Sequence, residues 1–227
     1  MSFRDTRLTH ANSRRGRGVW QWAGKRVFDL VAATVCLVVL LPFLVVVGVV
    51  VRMTTPGKTL FRQVRLGLHG QPFVLYKFRT MYDRCSDEPH RKYVRELLLS
   101  DAPQAASTTG LYKLEADPRV TRVGRLLRRA SVDELPQLLN VIRGDMSLVG
   151  PRPALPWEAE MFDAVHRQRF LVRPGMTGLW QVSGRNTLTM RQALDLDVEY
   201  VQKQCFRLDL DILLKTVPVV FSTIGAG

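Results

Sequence analysis

Residues 30–51 form an uninterrupted run of 22 residues without a charged side chain, and no other feature constrains this chain more. At ~1.5 Å per helical residue the run is long enough to cross the ~30 Å hydrocarbon core of a bilayer. It exceeds the roughly 7–15 residues of a signal-peptide core, and no A-x-A cleavage site follows it. Pro42 stands inside the run, lacks a backbone donor and disfavours helical backbone at Leu41. It divides the run into arms of 12 and 9 residues, neither of which spans alone. Both flanks are basic: Lys25 and Arg26 precede the run, and Arg52, Lys58, Arg62 and Arg65 follow it. Basic flanks mark the cytoplasmic side of a membrane. A hairpin broken at Pro42 keeps both flanks inside, a kinked span carries one across, and the residues themselves leave both arrangements open.

Over the whole chain, 33 Lys and Arg against 20 Asp and Glu give a net charge of +13. Such an excess calls for an anionic partner: nucleic acid, an anionic membrane surface, or a phosphorylated substrate. Cys36, Cys85 and Cys205 are odd in number and far apart, which disfavours a disulfide framework and a cysteine zinc site. His10, His69, His90 and His166 form no H-x-x-x-H pair. Gly57-Lys58-Thr59 resembles the end of a phosphate-binding P-loop, but Arg52 stands where the upstream glycine belongs. Neither G-x-G-x-x-G nor G-x-S-x-G occurs, so dinucleotide-dependent and serine-hydrolase chemistry fall away. A nucleic-acid partner is not expected either, because no recognition motif accompanies the positive charge.

Three segments follow from this patterning. Residues 1–24 read as a basic flexible arm for anionic membrane lipids, residues 25–56 as a membrane anchor, and residues 57–227 as the domain that carries the chemistry. Within the last, 59–66 and 72–78 alternate as a short β-hairpin. Residues 84–109 read as a polar insertion with a helical centre near 93–99. Helical spacing recurs at 124–130, 133–142, 157–170 and 190–204, with Gly/Pro loops at 150–156 and 173–186. Residues 208–224 are apolar but carry Asp209, Asp211 and Lys215, which suits an interfacial helix. The expected fold class is α+β: a small, mainly helical domain with a short hairpin, on the N-terminal membrane anchor.

The chemistry concentrates in residues 117–153. Ser131-Val132-Asp133-Glu134 has the form of a capping box, with Ser131 as N-cap and Glu134 three residues on. The electropositive end of a helix would keep Asp133 ionised, as a carboxylate nucleophile or metal ligand must be. Adjacent carboxylates such as Asp133 and Glu134 can share a Mg²⁺, a hard ion that takes oxygen ligands and substrate phosphates. Arg128 and Arg152 stand nearby in sequence among other arginines, either as solvated charge or as guanidinium forks for a diphosphate. The prolines of Gly150-Pro151-Arg152-Pro153 stiffen the loop around Arg152. Lys77-Phe78-Arg79 ends the second strand, where Lys77 and Arg79 are candidate phosphate contacts. The loop that reaches Arg185 has the glycines and donors of a nucleotide or sugar site, or of a structural turn.

Together, Lys25-Arg26-x-Phe28-Asp29, K-F-R-T-M, D-E-L-P-Q-L, G-D-M-S-L-V-G-P-R-P and R-P-G-M-T-G-L-W-Q-V-S-G-R-N resemble the bacterial sugar transferases. These are the monotopic phosphoglycosyl transferases, which load a hexose-1-phosphate onto a polyprenyl phosphate. Some relatives have Ser-Pro at the membrane break, whereas this chain has Leu41-Pro42. The resemblance implies attack by Asp133 on a UDP-sugar, release of UMP, and transfer of the phosphosugar to undecaprenyl phosphate. It further implies Mg²⁺ at Asp133 and Glu134, and phosphate contacts from Lys77, Arg79, Arg128, Arg152 and Arg185. The architecture implied is an N-terminal helix-break-helix that re-enters the inner membrane, with the catalytic domain facing the cytoplasm, in the minimal form without the extra spans of larger relatives. The late loop looks closest to glucose or galactose transferases of exopolysaccharide pathways. Self-association of the chain is left open.

Overall fold

The computed structural model describes residues 19–83, 85–99, 117–184 and 188–225. Its longest element, helix α1 (Val19–Thr54), contains the apolar run and holds Pro42 inside it. The two expected arms are therefore one helix. A proline removes a single bond in the ladder, here to the Val38 carbonyl, and packing holds the chain on either side. Ala33, Leu37, Leu40, Leu44, Val47 and Val51, spaced by threes and fours, form one stripe against the rest of the protein. Ala33 and Leu37 meet Leu75, Leu138 and Val141, while Leu44, Val47 and Val51 meet Phe78 and Leu127. The other face, with Val31, Val38, Val39, Val45, Val46 and Val49, is exposed. So continuous an apolar surface marks contact with a membrane or a protein partner. Among the described residues, α1 is the one helix long and apolar enough to cross a membrane.

Both ends of α1 are tied to the same folded body. At the first end Lys25 Nζ donates to Asp209 Oδ2 at 2.7 Å, and Arg26 donates to the carbonyls of Val141 and Ile142 at 2.6 and 2.8 Å. Asp29 accepts from Ser147 Oγ at 2.7 Å and from the Leu148 amide at 3.2 Å. At the other end Arg79 Nη2 donates to the carbonyl and hydroxyl of Thr55, both at 2.7 Å. The charges of Lys25 and Arg26 thus serve the fold as well as the flank pattern.

Strands β1 (Leu60–Leu66) and β2 (Pro72–Phe78) pair antiparallel from Leu60↔Phe78 to Leu66↔Pro72, as the alternation requires. Helix α2 (Glu88–Leu99) is the helical centre of the insertion. Helix α3 (Arg122–Arg129) starts at Thr121, whose hydroxyl accepts from the Gly124 amide at 2.8 Å. A Cβ at Gly124 would lie 2.0 Å from the Thr80 carbonyl oxygen, so only glycine lets α3 press against the end of β2. After α3 comes a 3₁₀ turn (Val132–Gln137) and then α4 (Leu138–Arg143). Asn140, fully buried, holds α4 on the hairpin: its Nδ2 donates to Val74 O at 2.7 Å and its Oδ1 accepts from Tyr76 N at 3.1 Å.

The second expected Gly/Pro loop, 173–186, contains a strand that its composition hides. Strands β3 (Ser147–Val149) and β4 (Gly175–Thr177) pair in parallel. The pairing is so close that a Cβ on Gly175 would lie 2.1 Å from the Gly150 nitrogen. The helix expected over 157–170 is instead α5 (Pro156–Glu160) and a 3₁₀ turn (His166–Leu171). Asp163 Oδ1 accepts from the His166 amide at 2.8 Å, and this side-chain bond begins the second piece. Helices α6 (Leu179–Val182), α7 (Met190–Lys203) and α8 (Phe206–Gly225) complete the chain. Helix α7 opens with a capping box between Thr189 and Gln192. Buried Tyr200 of α7 donates to Asp209 Oδ1 of α8 at 2.7 Å, which joins α7 to the Lys25 contact.

Candidate active site

One face of the hairpin forms the floor of a cleft of about 380 Å³. Phe61, Gln63, Arg65, Leu75 and Lys77 all line it, as side chains two residues apart on paired strands must share a face. The end of β2 and the 3₁₀ turn after α3 supply one wall, bringing Arg128, Asp133 and Glu134 to the same cavity as Lys77. The loop after β3 supplies Arg152 from the other side.

The capping box expected at Ser131 does not form. Ser131 sits in the left-handed region at φ 55°, with no side-chain cap, and the turn it opens is 3₁₀. Pro136 lies within that turn, and a full α-helix begins only at Leu138. Glu134 is instead directed at β2, where its Oε1 accepts from Lys77 Nζ at 2.8 Å. Asp133 is 6% exposed and lines the cleft. Arg128 is pulled below its ordinary pKa by burial, an effect opposed by the negative charges of Asp133 and Asp117. Its guanidinium therefore belongs electrostatically to the same cluster as the candidate nucleophile.

The remaining candidates divide. Arg152 Nη1 reaches Glu158 Oε2 at 3.3 Å, so a buried carboxylate fixes the stem of its loop. Arg79 lines the cleft, and its two terminal nitrogens donate to Val51, Thr55 and Pro56 at the end of α1. Those bonds cap the last turn of α1, where the carbonyls have no helical partners, while the side chain stays in the wall of the cleft. Arg185 lies outside the described residues.

Sequence reasoning missed the carboxylates that hold these arginines. Burial pushes the Glu158 carboxyl up, yet the positive charges of Arg152 and Arg65 together hold it below its ordinary value. Arg169 and Asp197, both 2% exposed, pair at 2.7 Å beneath Arg152, and Arg169 also donates to the Arg152 carbonyl at 2.6 Å. Asp117 is held below the usual carboxylate range by its hydrogen bonds from Arg119. In the sequence these acids stand apart from the arginines they serve, except for Asp117, two residues from Arg119.

Residues 20–223 match the family described as bacterial sugar transferase. The chain belongs to this family. Among its bacterial sugar transferase relatives is the exopolysaccharide production protein ExoY of Rhizobium meliloti (strain 1021), 42% identical over 202 residues, which cover 89% of this chain and 87% of the relative. The UDP-glucose:undecaprenyl-phosphate glucose-1-phosphate transferase of Caulobacter vibrioides is 42% identical over 210 residues, covering 89% of this chain and 71% of that protein. The undecaprenyl-phosphate galactose phosphotransferase of Salmonella typhimurium is 40% identical over 202 residues, which cover 89% of this chain and 41% of its own length. The matched segment of this sugar transferase takes in the whole cleft together with α1 from its second residue onward.

Proposed function

We propose that this sugar transferase moves a hexose-1-phosphate from a UDP-hexose to undecaprenyl phosphate, as the first membrane step of exopolysaccharide synthesis. The observation that carries the reading is the convergence of Asp133 and Glu134 with Lys77, Arg128 and Arg152 on one cleft. In the first step an Asp133 carboxylate oxygen attacks the β-phosphorus of the donor. A new O–P bond forms, the bridging P–O bond breaks, and UMP leaves with the bridging oxygen and its electron pair. In the second step a phosphate oxygen of the lipid attacks the same phosphorus and returns the carboxylate. Division into two displacements lets a soluble donor and a lipid acceptor use one site in turn.

Lys77, Arg128 and Arg152 hold phosphate charge around the reacting phosphorus, and the salt bridge from Lys77 orients Glu134. The donor set suits Mg²⁺, which is commonly held by one or two carboxylates plus substrate phosphates and needs no third acidic ligand. Bound by Asp133 and Glu134, it would supply neutralisation of diphosphate charge. Glucose and galactose are the favoured sugars, in keeping with the names of the Caulobacter and Salmonella relatives.

The exposed face of α1 lies in the inner membrane among anionic lipids, and the cleft faces the cytoplasm. Support for this comes from the ties of both Lys25 and Thr55 to one folded body, since the ends of a spanning helix stand on opposite sides of the bilayer. The test is purified protein with UDP-glucose or UDP-galactose, undecaprenyl phosphate and Mg²⁺, with UMP and lipid-linked product both measured. Release of UMP with formation of the lipid product is expected. Absence of both with every UDP-hexose overturns the reading.

A further inference from the structure

A second cavity, of about 280 Å³, opens beside the main cleft. It lies between β1, the start of α2 and α5, and Gln63, Asp87 and His90 form walls of both spaces. Its own lining differs in chemistry from the cleft. Glu160 and Arg91 bring charges of opposite sign, and Leu155, Pro156 and Trp157 bring carbon. Arg91 lies over the Trp157 ring at 5.7 Å, so its positive charge is drawn toward the indole. Asp87 and Glu160 outweigh the guanidinium of Arg91, which lies over Trp157, so the lining does not suit a phosphate. It suits a neutral polyol, whose hydroxyls both donate and accept while its C–H faces need apolar contact. The volume is near the lower end of the ~300–1,000 Å³ usual for small-molecule sites, which fits a single sugar ring better than a nucleotide.

The position relative to the chemistry is fixed by the hairpin register. Gln63 pairs with Leu75 and Phe61 pairs with Lys77, so Gln63 and Lys77 are diagonal neighbours on one face. Such neighbours lie about 7–8 Å apart, a separation that suits a hexose ring joined to a phosphate held at Lys77. The Gln63 amide is oriented by Arg65, whose Nε and Nη2 donate to its Oε1 at 3.0 and 2.6 Å. That bond turns the amide nitrogen away from Arg65. We propose that this side cavity, walled by Gln63, Asp87, His90, Trp157 and Glu160, receives the hexose of the donor and sets which sugar is transferred. The inference rests on the function proposed above and adds the residues that choose the sugar.

The test compares Glu160→Gln and Asp87→Asn with the wild type, in detergent-purified full chain. UMP release is measured with UDP-glucose and with UDP-galactose, and inhibition by UMP is measured separately. UMP carries the nucleotide and one phosphate but no sugar. The expected result is a change of about fivefold in the ratio of the two kcat/KM values, the size of one lost hydrogen bond to a hydroxyl. UMP inhibition should stay within about twofold of the wild type, because UMP has no hexose to reach the side cavity. An unchanged ratio in both variants, or a parallel loss for both donors and UMP, overturns the proposal while leaving the transferase reading intact. A wild type that releases UMP from no UDP-hexose removes that reading and this one together. Melting curves identify a misfolded variant, in which case the other variant decides.

Discussion

The Lys77 ammonium donates to Glu134 Oε1 at 2.8 Å and so joins the second strand of the hairpin to the turn that carries Asp133. The pair is partly exposed at the cleft. An exposed ion pair of this kind contributes little to stability, roughly 0–1 kcal/mol, so its consequence is placement: two carboxylates and a cation facing one cavity.

Replacement of Asp133 by Asn should abolish both UMP release and exchange of labelled UMP into UDP-hexose, because an amide does not form the acyl phosphate. A loss of at least ~10³-fold is expected, as for other enzymes deprived of their nucleophile. Substantial turnover by folded Asp133→Asn protein would remove the assignment. Glu134→Gln should also lower the rate, and Lys77→Met should lower it by about 10²-fold through the loss of charge stabilisation.

Chelation by EDTA should silence UMP release, and added Mg²⁺ should restore it, since a hard dication suits two adjacent carboxylates and a diphosphate. The readout is the rate before chelation, after it, and on repletion. A rate that persists undiminished in excess chelator contradicts a metal-dependent step.

Both flanks of α1 should lie on the cytoplasmic side. Cysteines introduced at Lys58 and Ala11 should both be protected from an impermeant reagent in intact cells, and labelling of only one would establish a span. Pro42→Ala restores a backbone donor in a helix already continuous through that position. Because the stripe from Ala33 to Val51 and the contacts of Lys25 and Arg79 hold the helix to the domain, Pro42→Ala should leave both sites protected.

Two buried carboxylates should give stability opposite dependences on pH. Burial pushes the Asp197 carboxyl up to about 6, against the opposing charge of Arg169. Its protonation therefore favours the folded state, a contribution complete below the ordinary aspartate value of 3.8 and lost as pH rises through about 6. Glu158 is held low, so its contribution is present above 4.5 and lost as pH falls through its depressed folded value. In melting experiments across this range, Asp197→Asn should gain relative to wild type as pH rises. Glu158→Gln should be most destabilising near neutrality and less so in acid. Parallel curves for the wild type and either variant would contradict that carboxylate's share.

Gly124→Ala should destabilise the domain by roughly 1–3 kcal/mol, the usual cost of forcing atoms into a packed contact. The added carbon meets the Thr80 carbonyl, and relief requires α3 to move away from β2. A lower melting temperature with a larger fall in activity than in fold is expected, because α3 carries Arg128. A variant with wild-type melting and turnover would mean that this contact does not position the wall of the cleft.

The hairpin, α3, α7 and α8 are legible in the chain because each is written in a local period of two or near 3.6 that buries one face, and α1 is legible as 22 residues without a charge. It also singled out Asp133, Glu134, Lys77, Arg128 and Arg152, which the structure brings to one cleft. The remaining features depend on contacts between distant segments. The parallel pair β3–β4 has only three residues per strand, so its signal lies in the close approach of Gly150 to Gly175 and in no local period. Ser131 and Glu134 have capping-box spacing, but the left-handed backbone at Ser131 and the pull of Lys77 direct Glu134 elsewhere. The roles of Arg79 at the end of α1, and of Glu158 beside Arg152, depend on partners 24 and 6 residues away in the chain. A charged side chain takes whichever partner the fold sets within hydrogen-bond reach, and burial makes that choice binding, because an unpaired charge away from water is far costlier than one exposed to it.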